Sequence, residues 1–340
     1  MRQMVYVSNA DSGEISVLSL APDGQITVVH TLVLGGTIMP LAVSPCRHFL
    51  YAARRSEPLA LVSMRIDPAS GRLLRLGEAA LAGSMAYIST DRSGRYLLAA
   101  SYPDDIITVS PIDHDGVVGI TQQTLPTGRH AHAIQATATN THVIATSLGA
   151  NQVMQLRFNP ECGRLSSNTP ATLAIRPGAG PRHFRFHPVA SRVYLLNELD
   201  ATIDTLAFDP AHGTLEVLGT TPSLPPDFDG EPWAADLQIT PDGRFLYTCE
   251  RRSSTLARFA IDPDDGHLDL IAHVPTETQP RSIAIDADGR WLLAAGQRSD
   301  HLSRYAIDPH TGALQHCQRI AVGKNPNWIE IMTLPTGHAE

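Results

Sequence analysis

One pattern returns along this chain at nearly constant intervals, and it leaves few folds open. An extended apolar stretch, a tight turn and a second apolar stretch appear as Leu237-Gln-Ile-Thr-Pro-Asp-Gly-Arg-Phe-Leu-Tyr247 and again as Ile283-Ala-Ile-Asp-Ala-Asp-Gly-Arg-Trp-Leu-Leu293. Looser copies run over 41–51, 86–98, 134–144 and 184–194. The equivalent position in the second stretch falls at Tyr6, Tyr51, Leu98, Ile144, Tyr194, Tyr247 and Leu293, with spacings of 45, 47, 46, 50, 53 and 46 residues. Seven units of that length, each with room for four short strands, predict an all-β fold, a seven-bladed β-propeller with four-stranded blades.

A second turn recurs later in each unit: Asp67-Pro-Ala-Ser-Gly71, Asp113-His-Asp-Gly116, Asn159-Pro-Glu-Cys-Gly163, Asp209-Pro-Ala-His-Gly213, Asp262-Pro-Asp-Asp-Gly266 and Asp308-Pro-His-Thr-Gly312. Asp or Asn bonds its own turn, Pro presets φ and Gly accepts positive φ, so these read as hairpins. Tyr96-Leu-Leu-Ala-Ala100 and Trp291-Leu-Leu-Ala-Ala295 are apolar without alternation, as strands covered on both faces must be. No window shows sustained helical periodicity, which disfavours an α/β reading. The first unit begins directly at its second strand, Val5-Tyr-Val-Ser8, and Pro326-Asn-Trp-Ile-Glu-Ile-Met-Thr333 resembles the strand it lacks. The C-terminal strand is therefore expected to close the ring, making residues 1–340 a single propeller domain.

Composition narrows the function. Apolar residues make up 43% of the 340, enough for a packed core, and the net charge of −8 argues against binding nucleic acid through bulk basic charge. No apolar run approaches a membrane span and no secretory signal is visible, and the four cysteines lack metal or redox spacing, so a cytoplasmic protein with reduced thiols is expected. The expectation is no cofactor, no metal, no membrane, and a monomer or weak homo-oligomer.

Topology then says where polar groups converge. With strands antiparallel from the axis outward, the starts of the inner strands and the ends of the second strands share one mouth of the channel. The starts bring His130, His132, Arg182, His183, Trp233, Arg281 and Asn325; the ends bring Arg54, Arg55, Glu198, Glu250, Arg251 and Arg298. Guanidinium forks suit a phosphate or carboxylate. Arg182, Arg251 and Arg281 are the candidate anion binders, and Glu198, His130 and His132 the candidate catalytic groups, with Glu198 or His130 as the base and Glu198 favoured because it ends its strand beside two Arg-bearing strands. His130 and His132, two apart on a strand, are expected on one side. His183, His187, Trp233 and Trp328 read as structural, and Asp236 as buried and paired.

Gly178-Ala-Gly-Pro-Arg-His-Phe-Arg-Phe-His-Pro188, Asn197-Glu198-Leu199, Trp233-Ala-Ala-Asp236 and Thr276-Glu-Thr-Gln-Pro-Arg281 resemble the propeller lactonases of the cycloisomerase-2 type, the bacterial 6-phosphogluconolactonase family. The resemblance spans the whole chain. It implies hydrolysis of 6-phospho-D-glucono-1,5-lactone to 6-phosphogluconate in the pentose phosphate pathway. It also carries His130 or His132, with His130 favoured, and Arg182, Glu198 and Arg281 over as site residues. The rivals are a muconate-type lactonizing cycloisomerase and a non-catalytic interaction platform.

Overall fold

The computed structural model describes residues 2–334; residue 1 and residues 335–340 of the expected 1–340 domain lie outside the described residues. Seven separate four-stranded antiparallel sheets account for all the strands. Six are built from consecutive strands. In the seventh, Pro326–Thr333 is the inner strand and pairs with Gln3–Asn9, placing Tyr6 opposite Glu330. The sequence expectation for both blade number and closure holds. Among the described residues the one helix is a short turn, Leu148–Ala150, and no helix is long and apolar enough to cross a membrane.

Burial follows radius. Inner and second strands such as Met85–Thr90 and Tyr96–Ser101 are buried along most or all of their length, because neighbouring blades cover both faces. The outermost strands, for example Ile26–Val33, mix buried and exposed positions. Blades are also stitched by hydroxyls. Tyr6, Tyr194 and Tyr247 donate to the carbonyls of Gly71, Gly266 and Gly312, the last residue of the hairpin turn in the next blade. Tyr51 occupies the same position, yet its hydroxyl is buried without a partner. The turn it faces, Asp113–Gly116, is one residue shorter than the others, and the Phe49 ring packs against its Gly116.

One irregularity positions the site. Every inner strand slips register by one residue near its start: between Ile38 and Leu41, Met85 and Tyr87, Ala131 and Ile134, Pro181 and Phe184, Ala234 and Asp236, and Pro280 and Ser282, with a matching shift at Ser8–Asn9 where Pro326–Thr333 pairs. Such bulges leave a residue unpaired and re-aim side chains. The bulged segments hold His132, Arg182 and Arg281.

Candidate active site

The first layer of the channel is an arginine–glutamate knot. Arg182 Nε donates to Glu198 Oε2 at 2.7 Å, and Arg251 Nη2 approaches the same oxygen at 2.8 Å. Arg182 is fully buried and also donates to the Ala235 carbonyl; Arg251 donates to the carbonyls of Trp233 and Ala234 and stacks on the Trp233 ring at 3.9 Å. Gly180, at φ 73°, makes the turn that brings these groups together. Its carbonyl accepts the Glu198 N–H at 2.8 Å, and a Cβ there would collide with Leu199. Burial opposes ionisation of Glu198, but Arg251 and Arg182 outweigh it and hold the carboxyl below the ordinary glutamate range. Burial pushes Arg251 down to about 10.

Arg281 differs from its neighbours. It is partly buried, close enough to feel the charges of Arg182, Arg251 and Arg55, yet its guanidinium makes no ion pair or hydrogen bond among the described residues. Burial and those three cations hold it well below the ordinary arginine range, which marks a place where an anion would be stabilised. Arg55, whose Nε donates to Ser84 Oγ at 2.9 Å, completes a basic wall.

The two candidate histidines part company. His130 precedes its strand in the left-handed region, φ 61°, with its N–H on Asp105 Oδ1 at 2.6 Å, so its ring is not placed by strand alternation, although both rings meet Tyr102. Gly180, Gln279 and Asn325 take the same conformation before their own inner strands, which makes it a property of the repeat. The His130 ring stacks on Tyr102, centroids 4.2 Å apart and 9° from parallel. His132 sits deeper, 4% exposed, edge-on to Tyr102 and 5.0 Å from the His183 ring. Burial, then Arg182, His183, Arg281 and Arg251, hold His132 well below the ordinary histidine range and therefore neutral.

A second layer lies one residue further along the inner strands. Tyr87, His183 and Trp328 meet edge to face at centroid distances of 5.1 to 5.6 Å, and His183 Nδ1 lies 2.9 Å from Asp236 Oδ1. Asp236 is buried and paired as expected, but His183 and Trp328 form the floor of the channel, which the reading of the repeats had treated as packing. Two residues further on, Gln135, Arg185, Gln238 and Glu330 line a cavity of about 360 Å³ at the opposite mouth.

Other candidates lie elsewhere. Arg54 turns to Glu78 at 3.2 Å, Arg298 is exposed, and Glu250 accepts the Trp233 and Ser253 N–H groups at 2.6 and 2.5 Å. His187 bonds the Gly243 carbonyl, a structural tie. Sequence reasoning passed over Tyr102, which lies in a turn with no repeat signature. It placed Arg55 at the mouth only as the neighbour of Arg54 at the same strand end. A groove of about 670 Å³ along His187, Tyr194 and Phe245 is larger than the axial cavity, but the ion pair in its lining, Arg244 with Asp242 at 4.0 Å, is exposed to solvent, unlike the buried knot at the axis.

Residues 4–331 match the family described as lactonase, 7-bladed beta-propeller. The 6-phosphogluconolactonase of Pectobacterium atrosepticum is 40% identical over 334 residues, covering 98% of this chain and 100% of its own. That of Klebsiella pneumoniae subsp. pneumoniae is 38% identical over 331 residues, covering 97% and 99%. Among solved structures, the periplasmic gluconolactonase PpgL of Pseudomonas aeruginosa superposes with a TM-score of 0.89 at 29% identity, covering 98% of this chain and 100% of that one.

Proposed function

This chain belongs to the seven-bladed β-propeller lactonase family, and on that premise we propose that its axial mouth hydrolyses 6-phospho-D-glucono-1,5-lactone to 6-phosphogluconate. The observation that carries the reading is Arg281: a partly buried guanidinium with no partner among the described residues, beside a knot in which Arg182 and Arg251 already share the one Glu198 carboxylate. A phosphate dianion supplies what that corner lacks, and Arg55 adds a second fork.

The chemistry follows from the remaining groups. With the phosphate on Arg281 and Arg55, the lactone carbonyl lies toward Arg182 and Arg251, whose charge stabilises the oxyanion as it forms. His132 accepts the proton of the attacking water as its oxygen bonds to C1. The C1–O bond of the ring then breaks and the ring oxygen takes the proton, leaving an acid that ionises. His132 is favoured over Glu198 as base because both guanidiniums already occupy Glu198 Oε2 and depress its basicity. An anion on Arg281 cancels part of the field that lowers His132, so the base strengthens when substrate binds. His130, stacked on Tyr102, shapes the rim. A phosphorylated sugar acid does not cross a bilayer unaided, so we place the reaction in the cytoplasm, carried out by a monomer or weak homo-oligomer.

Lactone opening, corrected for the spontaneous reaction, tests this with the phosphorylated and unphosphorylated lactones in parallel. Replacing His132 by Gln is expected to lower kcat by roughly 10²- to 10⁴-fold, the range for loss of a general base. Wild-type protein that leaves the spontaneous rate unchanged would refute the function.

A further inference from the structure

The channel floor holds two nitrogens that the reaction above leaves unexplained. His132 Nδ1 and His183 Nε2 are both buried with no hydrogen-bond partner among the described residues, in rings whose centroids lie 5.0 Å apart. Leaving one such atom unpaired is costly, and here two of them belong to adjacent rings. His132 Nε2 is not among these orphaned atoms.

The far end of the pair is defined. Asp236 accepts the N–H groups of Leu237 at 2.9 Å and Ile283 at 3.2 Å, with Ser282 Oγ at 3.4 Å and Arg185 Nη2 at 3.6 Å. Burial raises the Asp236 carboxyl, while Arg185, Arg182 and the Ile283 and Leu237 N–H groups oppose that rise; a carboxylate set among these donors acts as an acceptor, so its partner atom, His183 Nδ1, carries the proton. Burial, then Arg182 and Arg185, keep His183 neutral, so its Nε2 is a bare lone pair. An acceptor there selects the form of His132 that is protonated on Nδ1 and bare on Nε2.

We propose that Asp236, His183 and His132 form a relay across the channel floor, in which Asp236 and His183 are positioning residues that present His132 to the lactone with a bare Nε2. One bridging water or a small ring rotation closes the step between the two imidazoles. As His132 Nε2 takes the proton of the attacking water, the imidazolium is stabilised through His183 by the Asp236 carboxylate, which is not itself protonated. The proton then passes from Nε2 to the departing ring oxygen. The relay rests on the reading of His132 as the base.

The test uses full-length protein with ¹⁵N-labelled histidine, reading imidazole tautomers by two-bond ¹H–¹⁵N correlation together with steady-state kinetics on the phosphorylated lactone. Wild-type protein should show both His183 and His132 protonated on Nδ1. Asp236→Asn, which can donate where Asp cannot, should move the His183 proton to Nε2 and shift the His132 tautomer with it. It should also lower kcat by roughly 10²-fold or more with KM nearly unchanged. His183→Phe keeps an aromatic ring against Tyr87 and Trp328, and should likewise shift His132 and lower kcat. Finding His183 protonated on Nε2 in the wild type overturns the relay, as do folded variants that keep the wild-type kcat and His132 tautomer. If Asp236→Asn fails to fold, the wild-type spectrum and His183→Phe decide. Wild-type protein without lactonase activity would instead sink the functional reading, while the tautomers in the same sample still judge the relay.

Discussion

Replacing Glu198 by Gln removes a charge while keeping the shape of the side chain, and the structure sets the size of the effect. Glu198 is 8% exposed, and its Oε2 lies 2.7 Å from Arg182 Nε and 2.8 Å from Arg251 Nη2. The substitution leaves two buried guanidiniums facing each other with no anion between them. Breaking a buried ion pair from one side costs about 3–5 kcal/mol. Unfolding entropy of about 2.1 cal/mol/K per residue over the 340 residues gives roughly 0.7 kcal/mol/K, so the variant should melt about 4–7 °C lower. The sign with pH is fixed as well. The folded-state pKa of Glu198 is depressed, so its stabilisation is complete above the unfolded value of about 4.5 and is lost as pH falls below it. The gap in Tm between parent and variant should be constant near neutrality and close in acid. Inorganic phosphate should raise the Tm of the variant more than that of the parent, because it replaces the missing anion. Circular dichroism melts from pH 3 to 8 read all three effects. A variant melting within about 1 °C of the parent at neutral pH would refute the idea that Glu198 neutralises the two arginines.

Arg281→Met should raise KM for the phosphorylated lactone by roughly 10- to 150-fold, the equivalent of 1.5–3 kcal/mol for a hydrogen bond to a charged group, while barely altering turnover of unphosphorylated gluconolactone; equal losses on both would take the phosphate away from Arg281. Tyr247→Phe should cost about 1 kcal/mol in urea unfolding, because it strips a bond from the Gly312 carbonyl, whereas Tyr51→Phe, which removes a buried hydroxyl that has no partner, should be neutral or stabilising. Ending the chain before Pro326 removes the partner of Gln3–Asn9 and opens an inner edge, so size-exclusion chromatography should show aggregates in place of the native peak.

How much of this was legible beforehand divides along a physical line. The spacing of Tyr6, Tyr51 and their equivalents, the Asp-Pro-x-x-Gly turns and the orphan strand at Pro326–Thr333 determined the ring, its seven blades and its closure, because turn chemistry and strand patterning are local and repeat with the chain. Strand polarity then determined which mouth would gather Arg182, Arg251, Arg281 and Glu198. The division of labour inside that mouth belonged to the tertiary structure alone. Arg182 and Arg281 share the same Pro-Arg sequence, yet Arg182 is bound to Glu198 and to the next blade's Ala235 carbonyl, while Arg281 has no partner among the described residues. His130 and His132 look equivalent in a strand pattern, and only the left-handed turn at His130 and the bulge after Ala131 separate them. His183 reads as packing until it is seen to meet Asp236 across 53 residues of sequence. A bulge shifts every later side chain in a strand by one step, and an ion pair depends on which blade stands beside which. Both are set when the ring closes, by contacts between residues far apart in the chain.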